Sequence, residues 1–368
     1  MTKEKDLTQI WEALEQNQRC PIAKDLPLLS GLLDEAQVRL RRAWPLVPTQ
    51  ERFKLLTALA ELAEADFEMD FSFIFRLGLH DIEASVRAHA IEGLWEDEDP
   101  RLIAQFIRLL VDDEAETVRA AAARALGRFV LLGELGKLLP HHFEQTCATL
   151  HRVYRNPQES IAVRRRALES IAYTSGAEIA TMIEESYRHR EEAMRISAVF
   201  AMGRNADKRW GKIVLRELEN PTPAMRYEAA HACGELELKN AVRPLIEAVE
   251  DVDAEVQAAA LWALGQIGGP LARRTLERYA RSDDEAVLSA ANAALNELDF
   301  YHGDTSSFFG PPAAFEETLD DETWEEAAEN AVTLDESDAE LTEDDEIEDN
   351  YLAEDEDGEE EDDDPWYA

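Results

Sequence analysis

Apolar residues recur through the middle of the chain at a spacing that draws one stripe along a helix. In seven segments an apolar anchor is followed four residues later by alanine and eight residues later by another apolar residue or cysteine. The anchors are Val86, Val118, Val163, Met194, Met225, Val256 and Val287, with steps of 32, 45, 31, 31, 31 and 31 residues. Since residues four and eight apart share a helix face, the pattern predicts seven copies of one helix.

A second amphipathic stretch precedes each anchor, as in residues 212–218 and 241–249, and short turns such as 220–223 separate the two. A two-helix hairpin cannot bury its apolar face alone, so neighbouring hairpins must stack. We therefore expect an all-α fold, a right-handed α-solenoid of helical hairpins. The expected divisions are a divergent helical cap over 1–76, the solenoid over 77–300 and a disordered acidic tail over 301–368.

Small residues occupy two fixed places in the repeat. Alanine stands four residues after every anchor, which allows the next helix to approach closely. Glycine stands nine residues after four anchors, at Gly127, Gly203, Gly234 and Gly265. Because glycine adopts the left-handed conformation that ends many helices, we expect these four to terminate their helices.

Arginine follows the anchor directly in five repeats, at Arg87, Arg119, Arg164, Arg195 and Arg226. An acid or amide stands five residues before four of the anchors, at Asp81, Asp113, Asn220 and Asp251. This register favours a structural ladder in which each arginine bonds the loop acid or carbonyl of the adjacent layer. A role in ligand binding is the alternative.

These features resemble the HEAT-repeat family, particularly the short bacterial repeats of phycobilisome lyases, over about residues 50–298. The resemblance implies an armadillo-type fold with a groove lined by the second helix of each hairpin. It specifies the fold more than the function. Candidate partner-binding residues on the inner face are Arg119, Arg164, Arg166, Arg195, Arg226 and Trp262. The extra residues of the 45-residue step, around 131–140, are expected to lengthen a helix or loop on one rim.

Charge divides the chain unevenly. Of its 368 residues, 79 are acidic and 37 basic, for a net charge of −42. Residues 301–368 hold 29 Asp and Glu and no Lys or Arg, whereas residues 101–216 hold 19 basic against 14 acidic side chains. The balance argues against general binding to nucleic acid or anionic membranes. The tail, with Trp366 and Tyr367 near its end, is expected to recruit a basic partner or to cover the weakly basic middle.

The sequence offers no reactive centre. It lacks a phosphate loop, a nucleophile elbow and paired zinc-type cysteines, and its three cysteines are far apart. Di-iron hydroxylases of the HEAT family place His-Glu dipeptides in their repeats; none occurs here, and Tyr227 stands at a matching place. The chain also lacks a signal-like start and an apolar run of membrane-spanning length.

We therefore expect a cytoplasmic, non-catalytic interaction scaffold or adaptor without a cofactor. A HEAT-like DNA glycosylase is disfavoured because the basic surplus of the middle is small and the acidic tail would compete with the DNA backbone. Two other functions stay open. One is an accessory enzyme of the lyase or isomerase type that acts with a partner protein. The other is a chaperone that holds basic proteins through the acidic tail.

Overall fold

A computed structural model of the chain describes residues 7–16 and 18–302, the last two through their backbone alone. These residues form helices and turns and contain no strand. The N-terminal elements are α1 (Thr8–Trp11), a π turn (Glu12–Gln16), a 3₁₀ segment (Ala23–Leu29), α2 (Asp34–Ala43), a 3₁₀ turn (Trp44–Leu46) and α3 (Thr49–Ala65). The helical character predicted for this part is confirmed.

Seven helical hairpins follow, which we number repeats 1 to 7. Their first and second helices are α4 (Ser72–Gly78) and α5 (Ala84–Glu92); α6 (Arg101–Asp112) and α7 (Glu116–Glu134); α8 (Pro140–Arg155) and α9 (Ile161–Ile171); α10 (Ala177–Tyr187) and α11 (Glu192–Arg204); α12 (Gly211–Glu217) and α13 (Pro223–Glu235); α14 (Val242–Ala248) and α15 (Ala254–Ile267); α16 (Pro270–Tyr279) and α17 (Glu285–His302). Each predicted anchor lies in a second helix, so the predicted α-solenoid is confirmed.

The predicted stripe is the core of the stack. Six anchors are buried, and all seven alanines are completely inaccessible to solvent. Val287, the anchor of repeat 7, is only partly buried, because repeat 7 is the last repeat among the described residues and none of them stacks beyond it. The second helices pack directly on one another from repeat to repeat, and the alanines provide the close approach that this packing requires.

The glycines nine residues after the anchors do not end their helices, so that prediction is wrong. All four lie inside a second helix, where the helix of the next repeat comes closest. A Cβ atom on Gly265 would lie 3.0 Å from Ala294 Cβ, and one on Gly203 would lie 2.9 Å from Ala232 Cα. The left-handed residues come later, at Ala206, Glu237 and Gly268. Glycine at this position therefore provides room for packing.

The 45-residue step lengthens two helices, as expected. Helix α7 has 19 residues and α8 has 16, whereas α11 and α13 each have 13. The Phe143 ring lies against Gly133, where a Cβ atom would be only 2.1 Å from it. The added turns thus pack as a local hairpin at the α7–α8 junction.

The predicted division at residue 76 falls inside α4, the first helix of repeat 1, and stays a prediction. The acidic tail is predicted over 301–368. Residues 303–368, which include Trp366 and Tyr367, lie outside the described residues. No helix among the described residues combines the length and the apolar character needed to cross a membrane.

Candidate protein-binding face

The arginine after the anchor joins adjacent repeats on the loop side of the stack. Arg226 donates from Nε and Nη2 to the two carboxylate oxygens of Asp251 in the next repeat, at 2.7 and 2.8 Å. Its Nη1 donates to the carbonyls of Asn220 and Pro221 at 2.9 and 3.1 Å. Arg87 makes the same contacts with Asp113, and Arg119 with Glu159. A ladder of guanidinium groups therefore connects these repeats.

Each ladder aspartate has two tasks. Asp251 Oδ1 also accepts a hydrogen bond from the Asp253 N–H at 2.9 Å, which shapes the turn that begins α15. The bonds from Arg226 lower the pKa of Asp251, as the backbone N–H groups also do. The same carboxylate thus starts its own helix and binds the previous repeat.

The ladder begins earlier than the sequence analysis recognised. Arg52 in α3 donates from Nη2 to Asp81 Oδ1 at 2.8 Å, and the Trp44 Nε1–H donates to Asp81 Oδ2 at 2.7 Å. Arg52 was missed because Glu51 occupies the place of the apolar anchor before it. The signal that was available is Asp81, a ladder acid with no arginine assigned to it.

Two of the candidate arginines bind no ladder acid. Arg164 donates from Nε to the Tyr154 carbonyl at 2.8 Å, and Arg195 donates to the carbonyls of His189 and Arg190 at 3.0 and 2.9 Å. The ladder position of the following repeats holds His189 and Asn220 in place of an acid. The boundaries between repeats 3 and 4 and between repeats 4 and 5 therefore lack the ionic rung.

A different set of side chains crosses these two boundaries, on the surface of the second helices. We call this surface the second-helix face and define it by side chains three, six and ten residues after the anchor. Its members in repeats 3 to 6 are Arg166, Glu169, Tyr173, Ser197, Phe200, Arg204, Glu228, His231, Glu235, Ala259, Trp262 and Gln266.

Glu169 is the polar centre of the first boundary. Its side chain is buried and accepts hydrogen bonds from Arg166 Nη1 at 2.6 Å and from Ser197 Oγ at 2.5 Å. Arg165 Nη1 donates in turn to Ser197 Oγ at 3.2 Å. A charged network therefore replaces the missing rung between repeats 3 and 4.

Arg204 bridges the second boundary. Its Nη1 lies 2.9 Å from Glu235 Oε1 in the next repeat. The guanidinium also lies over two aromatic rings, 5.1 Å from the centroid of Phe200 and 5.7 Å from that of Tyr173. Arg204 is therefore held by a carboxylate and by ring faces together.

A row of aromatic rings continues the face into repeat 6. The centroids of Tyr227 and His231 are 4.7 Å apart, and those of His231 and Trp262 are 4.6 Å apart. One edge of the Trp262 ring lies over Gly234, where a Cβ atom would come within 2.7 Å. Trp262 is half-buried, so it packs against the stack on one side and is accessible on the other.

Burial and like charges change the acidity of this face. Burial, together with Glu169 and Glu235, raises the pKa of Glu228 to about 7. Burial also raises the pKa of Glu235, although Arg204 opposes it. Burial and the nearby Arg204 lower the pKa of His231 to about 4, so its ring is neutral at pH 7.

Farther towards the N-terminus, the arginines of the face are paired with acids. Arg124 Nη2 lies 3.2 Å from Glu92 Oε1, and Arg128 Nη2 lies 2.8 Å from Glu98 Oε1. The basic surplus counted in the sequence is thus offset on this face by neighbouring carboxylates.

A separate open cleft of about 550 Å³ lies beside the lengthened α8, with Phe143, Cys147 and Ile179 in its lining. Burial raises the pKa of the Cys147 thiol to about 11, so it is protonated at neutral pH. Within the described residues, no three His, Cys, Asp or Glu side chains are grouped in a way that would hold a metal ion.

Residues 76–140 and 211–296 match the family model of HEAT repeats. The resemblance to HEAT repeats is confirmed over these two parts of the chain. No curated protein matches the sequence.

The solved structures that are similar to it include the following three. Human deoxyhypusine hydroxylase in complex with glycerol has 18% identity and a TM-score of 0.33, over 69% of this chain and 91% of that one. Importin beta has 15% identity and a TM-score of 0.41, over 81% of this chain and 48% of that one. The Kap95:Nup1 complex has 14% identity and a TM-score of 0.42, over 82% of this chain and 47% of that one.

Proposed function

We propose that the chain is a non-catalytic scaffold that binds a protein partner along the second-helix face. HEAT repeats in general mediate protein–protein interactions, because stacked hairpins present an extended surface. The observation that carries the proposal is the composition of this face in repeats 3 to 6. Aromatic rings and arginines, the side chains that are enriched among the residues dominating binding energy at protein interfaces, are concentrated there.

The test is affinity capture from native extract with the double variant Phe200→Ala, Trp262→Ala. We expect this variant to lose a partner that the unaltered chain retains. The matched control is Leu271→Ala, which removes an apolar side chain, 45% exposed, from the first helix of repeat 7. Thermal unfolding of each variant verifies that it is folded. Equal retention of every partner by the double variant and the control contradicts the proposal.

We further propose that the acidic tail recruits a basic region of the partner. The arginines of the second-helix face are paired with carboxylates of that face, which favours recruitment over covering of the face by the tail. Removal of residues 303–368 is then expected to weaken partner binding most at low salt, where screening is least. Unchanged affinity at low salt contradicts recruitment, and stronger binding of acidic ligands after truncation indicates covering.

A further inference from the structure

Glu228 differs from Glu169 and Glu235, the other acids of the second-helix face in repeats 3 to 6. It lies in the interior of α13 and is half-buried. Glu169 has Arg166 and Ser197 as partners, and Glu235 has Arg204. Glu228 makes no hydrogen bond or ion pair with any described residue. Partial burial disfavours the charged form of this carboxylate, and no bonded donor offsets that cost.

The groups around Glu228 leave its charge uncompensated. Arg165 and Arg166 of α9 and Arg204 of α11 act on it through space, but Arg166 and Arg204 are bonded to other acids and Arg165 to Ser197. Glu169 and Glu235 add negative charge, and Glu255 of α15 lies close enough to act on Tyr227. His231, three residues from Glu228 on the same helix face, is neutral at pH 7.

The aromatic row lies beside this carboxylate. Tyr227 and His231 flank Glu228 on α13, and Trp262 continues the row from α15. Ring faces attract cations, most strongly where water is excluded. A free acid next to such a row is complementary in charge to a flat cationic group.

We propose that Glu228, with Tyr227, His231 and Trp262, forms a socket for an arginine side chain of the bound partner. The guanidinium pairs with the Glu228 carboxylate and lies on the rings. Arginine fits better than lysine because its planar group both bonds a carboxylate through two N–H donors and stacks on aromatic faces. This proposal rests on the proposed function, since it names a contact on the same face.

Binding is best followed at Trp262 in the full chain. The protein is labelled with 5-fluorotryptophan, the Trp262 fluorine signal is assigned with Trp262→Phe, and a blocked Gly-Arg-Gly peptide is titrated. We expect a saturable shift of this signal. A peptide with citrulline in place of arginine has nearly the same shape without the charge and should produce no saturable shift. Equal binding of a blocked Gly-Lys-Gly peptide overturns the choice of arginine.

Glu228→Gln preserves the side-chain shape and should weaken arginine binding at least tenfold. Glu247→Gln, at an exposed acid of the first helix α14 and outside that face, is the matched control and should leave the affinity unchanged. The tail is present in all variants, so its attraction for the peptide is common to them. Equal affinity of Glu228→Gln and the unaltered chain overturns the socket.

The pH profile provides a second criterion. Arginine binding needs the ionised Glu228, so affinity should rise about tenfold from pH 6 to pH 8 and show no such rise in Glu228→Gln. A flat profile in the unaltered chain overturns the proposal. If a captured partner depends on Phe200 and Trp262 but not on Glu228, the socket is wrong while the binding face stands.

Discussion

The two sides of the second helices differ in how far their residue types repeat from one hairpin to the next. On the stacking side, the same residue types return in every repeat: alanine four residues after the anchor is buried in all seven. On the second-helix face, the position six residues after the anchor holds Glu169, Phe200, His231 and Trp262 in successive repeats, and the last three are partly exposed. Positions that hold the same residue in every repeat pack the hairpins together, because each hairpin meets the same kind of neighbour. Positions that change from layer to layer are available for recognition of a particular partner.

The largest effect is expected from filling the space at a stacking glycine. Gly265→Val places a branched side chain where Ala294 backbone and Cβ atoms already lie within about 3 Å of a Cβ position. The two helices must separate, and we expect unfolding free energy to fall by about 3 kcal/mol or more. Chemical denaturation measures it.

The control for this change is Ala258→Val on the same helix, at an exposed position. It should alter stability by no more than about 0.5 kcal/mol. Similar losses in the two variants contradict the distinction between the stacking side and the exposed surface.

Removing a ladder rung is expected to have the next largest effect. Arg226→Met leaves Asp251 largely buried without its guanidinium partner and should cost about 2–3 kcal/mol. Arg195→Met, at a boundary where no acid faces the arginine, should cost less. Denaturant unfolding of both variants makes the comparison.

Acidity supplies a check on the ladder. The pKa of Asp251 is lowered in the folded chain, so its rung stabilises fully above the unfolded pKa of about 4 and is lost as pH falls through the folded pKa. The stability difference between Arg226→Met and the unaltered chain should therefore shrink below pH 4. A difference that stays constant down to pH 2 argues that the loss comes from packing alone.

Glu228→Gln should have a smaller effect with the opposite sign. The folded pKa of Glu228, about 7, exceeds the ordinary value of 4.5. The folded chain thus retains a proton that the unfolded chain releases, and stability falls as pH rises between these values. At pH 8 the variant should be more stable by about 1–2 kcal/mol, and at pH 4 about equal. Thermal unfolding at both pH values tests this, and equal stability at pH 8 contradicts it.

The smallest effect is expected at the exposed end of the face. Glu92 and Arg124 form an ion pair in which both side chains are about half exposed. Glu92→Gln should therefore change stability by less than about 0.5 kcal/mol. A loss above 1 kcal/mol, measured by denaturation, would show that this end contributes to the fold as the middle does.

Sequence reasoning predicted the fold because the fold depends on repetition. The anchors, the alanines and the paired arginine and aspartate positions are visible in one sequence, and they fix the helices and their stacking. The role of Gly203 was predicted wrongly, since its position near the end of a pattern indicates a helix end as readily as a close contact. The distance of 2.9 Å between a Cβ atom on Gly203 and Ala232 Cα distinguishes a glycine needed for packing from one that ends its helix.

The candidate site was harder to predict, because its residues do not repeat from layer to layer. Glu228 belongs to no motif. Its proposed role depends on the lack of a bonding partner for it in the neighbouring repeats. Its partners are absent because Arg166 and Arg204 bond other acids, which no linear pattern expresses. The repeated position after the anchor made Arg119 and Arg226 candidate partner-binding residues, and both are bonded in the ladder.

The missing rungs have a mechanical consequence. Between repeats 4 and 5 the second-helix face carries the ion pair of Arg204 with Glu235. Between repeats 3 and 4 it carries the hydrogen bond from Ser197 to Glu169, in addition to the ion pair of Arg155 with Glu185 on the first helices. A ligand that competes for Glu235 therefore removes a bond that stiffens the joint between repeats 4 and 5, whereas the bonds of the loop aspartates lie outside this face.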